Sequence, residues 1–436
     1  MNKVQIAVAV FLFIALLLRF YFYFHNQIPY QDGEKVELET TLFSQPTVGR
    51  FNQKLFIQTK RGRVWVILPT YPQYHYGDII QISGSIKLKS STQNSGMLRK
   101  ERVIPVIYFP EVAPGKNDKN FGLAPIQSGL AIASFFRQKM ITLFQNSLSS
   151  PSSSLLLGIV FGIKESVGTQ FTYHLRVSGV MHVVAASGMN VTMVIAFLTP
   201  IFLLIFRRQI ALLLVGVCIL FYAFVSGLQA SIVRASIMGM FVLAAQVTGR
   251  QTWPLYGLCM AGFLMLFISP QTLFDIGFQL SFISTLGLLF IRPLIGFKNV
   301  LGDDMATTIS AQIATLPILL GNFGSYSAVS VVVNGLVLWT VPILMIIGGI
   351  GGLIGLVFEP LGKLLLFVSL PFLIYFEMVV SWFGEHSGTI SVSSFPWELG
   401  AGYYLILSSF VLYFQKTRNT RKISNSAHQK ARKSEQ

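Results

Sequence analysis

Apolar and polar positions divide the chain into two unlike parts. Val4–Phe24 is a nearly unbroken apolar run whose one charge is Arg19. It outlasts the core of a secretory leader and ends in Tyr21, Phe22, Tyr23 and Phe24 with no small-residue cleavage site. It therefore reads as a retained anchor over residues 1–28, with Arg19 free to snorkel toward the interface. Residues 33–112 then change to a period near two. Val36–Phe43, Lys54–Thr59, Arg63–Leu68, Ile79–Lys87 and Ile104–Phe109 predict short strands, with Arg61-Gly62 at a tight turn. That run of strands suits a small β-barrel of OB type. Lys116–Lys119 opens a polar linker, and Gln127–Leu148 predicts an amphipathic helix that the Ser-Pro-Ser-Ser-Ser run at 150–154 breaks. Leu155–Ile163 is too short to span, so 125–168 reads as an amphipathic, interfacial or re-entrant region.

Residues 177–414 are almost wholly apolar. Spans fall near 180–206, 209–228, 231–249, 253–269, 273–291, 305–323, 328–357, 364–382 and 398–414. The 328–357 stretch is overlong and carries Gly348, Gly349, Gly351, Gly352 and Gly355, which predicts a tilt, a break or a loop held in the membrane. With the N-terminus inside, the loops holding Arg207/Arg208, Arg250, Arg292/Lys298 and Lys363 and the 415–436 tail fall on the cytoplasmic side, and the 33–112 domain lies outside. The expected fold is a polytopic α-helical membrane protein of about ten transmembrane helices with an extracytoplasmic OB-like β-domain.

Composition agrees. The 436 residues are 53% apolar and 11% charged, too few charges to cover a soluble exterior. The net charge of +16 is unevenly placed. Residues 30–125 hold 13 Lys/Arg against 8 Asp/Glu, and the tail after Phe414 holds seven basic residues against Glu435. Such a surplus suits an anionic partner, lipid headgroup or nucleic acid. In the β-domain Phe51, Phe56, Trp65, Tyr71, Tyr74 and Tyr76 lie among Lys54, Lys60, Arg61 and Arg63. Single-strand binders use that mixture, because bases stack on rings while cations follow phosphates, although the same rings also suit a barrel core. Cys218 and Cys259 sit in apolar segments and read as packed thiols.

Three polar constellations interrupt the apolar background. The first is His182-Val-Val-Ala-Ala-Ser187-Gly188-Met-Asn190, in which a continuous helix would stack His182, Ala186 and Asn190 on one face. The second runs from Ser226-Gly227 through Ser231 and Arg234-Ala235 to Met238; the third is Asp275-Ile-Gly277-Phe278-Gln279-Leu280-Ser281-Phe282, with Asp275 and Gln279 at i, i+4. Arg234 and Asp275 each cost about 2.5–3.5 kcal/mol at a helix centre, less near its ends. They either pair and fix packing, or line a polar path for an anionic substrate.

These segments, together with Ala311-Gln312, Thr315-Leu316-Pro317 and Asn334, resemble the ComEC-type competence protein family, as does the order of anchor and β-domain; the likeness covers roughly residues 1–350. The resemblance implies a DNA internalisation channel that carries a single strand across the bacterial cytoplasmic membrane during natural transformation. His182, Ser187, Asn190, Arg234, Asp275, Gln279, Gln312 and Asn334 are then candidates for the DNA path, with Arg234 attracting phosphates, and Lys54, Lys60, Arg61, Arg63 and Trp65 for DNA contact outside. Implied partners are single-stranded DNA, an extracellular DNA receptor, a cytoplasmic helicase or ATPase motor and a separate nuclease; a homo-oligomer is compatible. Two departures stand out. Many members carry a histidine shortly after the Ser-Gly pair, where this chain has Asn190. Many also end in a metallo-β-lactamase-like domain with an H-x-H-x-D-H motif, which this sequence does not show, so a short form is expected.

The same residues bear on three other functions. An intramembrane serine protease would need a base for Ser187, but His182 lies five residues earlier, about 140° round a straight helix. A metal-dependent nuclease lacks clustered ligands: the adjacent Asp303-Asp304 reads as a solvated loop. A secondary transporter of a small anion is the stronger rival, since broken helices and intramembrane charges are common there. There is no P-loop, and neither catalysis, a cofactor nor a metal site is expected.

Overall fold

A computed structural model describes residues 3–25, 30–42, 46–48, 51–59, 61–91, 102–114, 124–163, 167–185, 187–296, 300–392 and 395–434. The linker expected at Lys116–Lys119, Lys60 and Lys298 lie outside these. Helix α1 is Lys3–His25. All five expected strands form: β1 Lys35–Thr41, β3 Asn52–Thr59, β4 Gly62–Pro69, β5 Ile79–Ser91 and β6 Arg102–Tyr108, joined by short β2 Thr47–Val48 and β7 Glu111–Pro114. They make one curled sheet, a half-barrel ordered β1-β5-β6-β4-β3-β2, with β7 on the other edge of β5. Only β4 and β6 run parallel, and every other pairing is antiparallel. The long β5 bends between its β1/β7 half and its β6 half. Gly84 stands at the bend, where a Cβ would come within 2.7 Å of Ile107.

Alternation explains the inner face. Leu55 and Ile57 on β3, Val64, Val66 and Leu68 on β4, and Ile80, Ile82 and Ile86 on β5 are all buried in one cluster with Ile107. Gln53 is buried among them because its side chain serves the loop after β4. Its Nε2 donates to Pro69 O at 2.7 Å and Pro72 O at 2.5 Å, and its Oε1 accepts from Tyr74 N at 3.3 Å. Gln53→Leu should cost about 2 kcal/mol by stranding these groups. Hydrogen exchange at the Tyr74 amide reports it directly; unchanged protection there would rule out the clasp.

The half-barrel rests on the helices. Gly62 in the β3–β4 turn lies 3.6 Å, measured from a built Cβ, from Gln271 in the short helix Pro270–Phe274. Gly77, at φ +93°, abuts Ser134 and Leu130 of α2 Ala124–Ser147. Arg137 of α2 lies over the Tyr76 ring at 5.7 Å, and its Nη1 donates to Val225 O at 3.2 Å. Burial pushes the Tyr76 phenol up to about 12, against the opposing pull of Arg137.

The remaining helices are α3 Ser152–Phe161, α4 Thr169–Val177, α5 Met181–Val184, α6 Gly188–Ile205, α7 Arg208–Val225, α8 Ala230–Thr248, α9 Pro254–Ile268, α10 Ile276–Phe290, α11 Val300–Phe323, α12 Ser330–Val337, α13 Thr340–Val357, α14 Glu359–Val368, α15 Leu370–His386 and α16 Trp397–Ser434, with β8 Ser325–Tyr326 pairing β9 Ile390–Ser391. Among the described residues, α6, α7, α8, α10 (with the turn after it) and α13 are long and apolar enough to cross a membrane. The α14–α15 pair, bent by 44°, makes a sixth. The chain is a multi-pass membrane protein. Arg19 donates to Phe267 O at 3.1 Å, so α1 is tied to the C-terminal end of α9.

Prolines place the breaks. Pro342 leaves the carbonyl four residues back without its helical donor, and the overlong 328–357 segment divides just there into α12 and α13. Pro371 does the same at the α14–α15 bend. Pro317, inside α11, frees Ile313 O, which accepts from the Tyr403 hydroxyl at 2.8 Å, while Tyr404 bonds Ala314 O at 3.0 Å. The glycines of α13 are its packing surface: Gly348 meets Val160 and Leu156 of α3, Gly352 meets Met140 and Phe144 of α2, and Gly355 meets Gly362 of α14.

Four expectations need correction. Asp303 and Asp304 are helical, Asp303 closing the first turn of α11 and pairing with Arg292 at 2.7 Å, because the helix starts earlier than the apolar pattern does. Lys363 is helical and paired with Glu359 at 2.7 Å. Cys259 is exposed on α9. Leu155–Ile163, expected as interfacial or re-entrant, is enclosed by protein: all ten residues of α3 are buried inside the bundle.

Candidate functional site

The first constellation does not lie on one helix. After α5, Ala185 and Ser187 are extended (ψ 132° and 168°), and α6 starts afresh at Gly188. The face expected to stack His182, Ala186 and Asn190 is therefore cut. Ser187 is the N-cap residue, a role its type favours, and Gly188 follows it. The Ser187 hydroxyl makes no cap bond to the helix amides; it donates to Asn190 Oδ1 at 3.0 Å. His182 is exposed on α5 and reaches the Gly179 backbone.

Asn190 faces the other way, into the protein. It is 1% exposed, and its Nδ2 donates to Ile159 O at 2.8 Å and to the Tyr222 hydroxyl at 3.2 Å. Tyr222 in turn donates to Val160 O at 2.8 Å. Gln229 reaches Gly162 O at 3.2 Å. Together they satisfy the last carbonyls of α3, which a helix cannot satisfy itself. At the opposite end Ser152 donates to Glu377 of α15 at 2.6 Å. Sequence reading missed Tyr222 and Glu377, whose signal was a buried phenol and a carboxylate inside apolar spans.

The second and third constellations do meet, but through different residues from those expected. Arg234, one turn into α8 and 9% exposed, donates from Nε to Ser281 Oγ of α10 at 2.8 Å and from Nη1 to Met238 Sδ at 3.5 Å. Asp275 is not its partner; it caps α10, accepting from Phe278 N at 3.0 Å. Gln279 donates to Leu273 O at 2.9 Å. Gly188 completes the group: a Cβ there would stand 2.7 Å from Arg234 Nη2 and 3.5 Å from the Ala235 Cβ.

A further polar cluster joins α11 to α12. Gln312 donates to Ser330 Oγ at 2.6 Å and accepts from the Tyr326 hydroxyl at 2.7 Å. Ser330 donates to Ser327 O at 2.8 Å, and Ser327 donates to Val177 O at 2.5 Å. Gly179, at φ +76°, packs against Ser330 and Ser327. Asn334 is buried in α12, and its Oδ1 has no hydrogen-bond partner among the described residues.

In the β-domain Lys54, Phe56 and Trp65 stand on the outer face of the sheet, Phe56 and Trp65 as a cross-strand pair with rings edge-on at 5.2 Å. Arg63 stands on β4 opposite Gln58. Arg61 turns away to Glu34 at 2.6 Å and covers the Tyr30 ring at 5.5 Å. The Gln31 amide and this guanidinium hold the Glu34 carboxyl below the usual carboxylate range.

Comparison with known proteins bears on this arrangement. A family model described as Competence protein matches residues 159–417, a stretch that contains every polar group above from Ile159 to Tyr404. ComE operon protein 3 of Bacillus subtilis (strain 168) is 28% identical over 253 residues, which is 56% of this chain and 31% of that protein. The chain thus matches about a third of the length of this curated relative. No solved structure matches it.

Proposed function

The chain belongs to the competence protein family, and from that premise we propose that it carries a single strand of DNA across the bacterial cytoplasmic membrane during natural transformation. The match over residues 159–417 carries this reading. In it the membrane is crossed ten times: α1, α9, α11 and α16 add to the six spans above, and both termini face the cytoplasm. The half-barrel is an OB-type domain left open along one edge. Its β1-β5-β6-β4-β3 order with one parallel pair supports that, and Lys54 and Trp65 on its outer face suit a passing strand. His182, Ser187, Gln279, Gln312 and Asn334 border the path. An extracellular receptor delivers DNA, a cytoplasmic helicase or ATPase pulls the strand, a separate nuclease removes its complement, and copies of the chain can assemble.

Transport of a small anion is the rival, favoured by the interrupted α5–α6 helix beside a buried arginine. The deciding experiment follows labelled DNA into a DNase-resistant cytosolic pool, in a deletion strain with and without this chain. Restored uptake supports the proposal. Uptake that is normal in the deletion strain ends it, and flux of small anions into proteoliposomes then becomes the measurement of interest.

A further inference from the structure

We propose that Arg234, Ser281 and the N-terminus of α6 form a binding site for one phosphodiester group. The first observation is the helix end. Ser187 makes no side-chain cap, so the leading N–H groups of the eighteen-residue α6 are left without a side-chain acceptor and carry the positive end of its dipole. The second is independent of it. Arg234 is nine-tenths buried; its Nε is held by Ser281, its Nη1 has only a thioether, and its Nη2 is directed at Gly188. A buried guanidinium without a carboxylate is costly, and its cheapest complement is an anion.

Both positive ends converge on the place where Gly188 leaves out a side chain. Helices α6 and α8 run side by side in the same direction here, since Gly188 neighbours Ala235 and Gly239 neighbours Val191 and Ile195. Helix amides and the remaining guanidinium nitrogen at one point suit an oxyanion, and the DNA reading supplies a phosphodiester as that oxyanion. The bent α5–α6 backbone fits, because irregular backbone at membrane depth is tolerated where it lines a polar cavity. The inference rests on the proposed DNA reading for its source of phosphate; a phospholipid headgroup offers the same chemistry.

The test uses the full chain in a maltoside detergent, which contains no phosphate. Binding of a twenty-nucleotide oligothymidylate is followed by fluorescence anisotropy across salt concentration, and copurified phospholipid by native mass spectrometry. One lost phosphate contact lowers the log–log salt slope by about 0.7. That drop is expected in Arg234→Met and again in Gly188→Ala, whose methyl would stand 2.7 Å from Arg234 Nη2 and push the guanidinium out of the gap. A slope unchanged in both variants overturns the site and leaves DNA binding by the chain intact. If the parent binds no oligonucleotide but retains a phospholipid that both variants lose, the site stands and the DNA reading falls. If it holds neither, the site is refuted.

Discussion

Gly362→Ala should lower the stability of the helical bundle by about 3 kcal/mol or more, among the largest effects of any single methyl in this chain. A Cβ built on Gly362 runs into the Gly355 backbone, 2.7 Å from its nitrogen, and stands 2.9 Å from Gly351 O. These are main-chain atoms of α13, so no rotamer change relieves the overlap. Helices α13 and α14 would have to separate, and α13 also carries α2 and α3 on its other glycines. Gly349→Ala is the internal control: it lies in the same helix with nothing within 4 Å, and should leave stability unchanged or raise it by up to about 1 kcal/mol. Thermal unfolding in detergent compares the two. Equal midpoints would mean that the α13–α14 crossing is wider than described.

The second large effect is expected at Asn190. Asn190→Leu keeps the branched heavy-atom skeleton but strands Ile159 O and removes the acceptor of Ser187, at roughly 1–3 kcal/mol for each buried group. A loss near 3 kcal/mol follows. Asn190→His keeps one ring donor and one acceptor and should fall between parent and Leu variant. Tyr222→Phe, which gives up the bond to Val160 O and the one from Asn190, should cost about 1–2 kcal/mol. The order parent, His, Leu in unfolding midpoint is the readout. A Leu variant as stable as the parent would falsify the role assigned to this side chain.

The strands were legible because each carries its own alternation: buried Leu55 and Ile57 flank half-buried Phe56, and one sheet face suffices to fix them. Helices α7 and α8 were legible from length alone, starting within a residue of the expected spans. The divisions at Pro342 and Pro371 were readable from proline chemistry, and the first was anticipated as a break. The α5–α6 division was not, because Ala185–Ser187 lacks proline and its apolar surroundings continue the helical pattern. Only the pair Ser187-Gly188 marked a new helix start. Arg234 was found from its cost in an apolar span; of the two readings left open for it, the pair with Asp275 does not form, because α10 presents Ser281 and uses Asp275 as its own cap. The burial of α3 could not be read locally, since the groups that make it tolerable lie 31, 62 and 225 residues away.

That last separation has a consequence for biosynthesis. Helix α3 is too short to be recognised as a span while it emerges, and its N-terminal clasp is not translated until Glu377 has been made, 225 residues later. At elongation rates of about 5–20 residues per second the interval is on the order of ten to forty-five seconds. During it the nascent chain holds a ten-residue apolar segment that neither crosses the bilayer nor has a finished pocket. Insertion of this protein is therefore a problem of waiting, in which the insertase or the neighbouring α2 must shelter α3 until the distal half of the bundle arrives and encloses it.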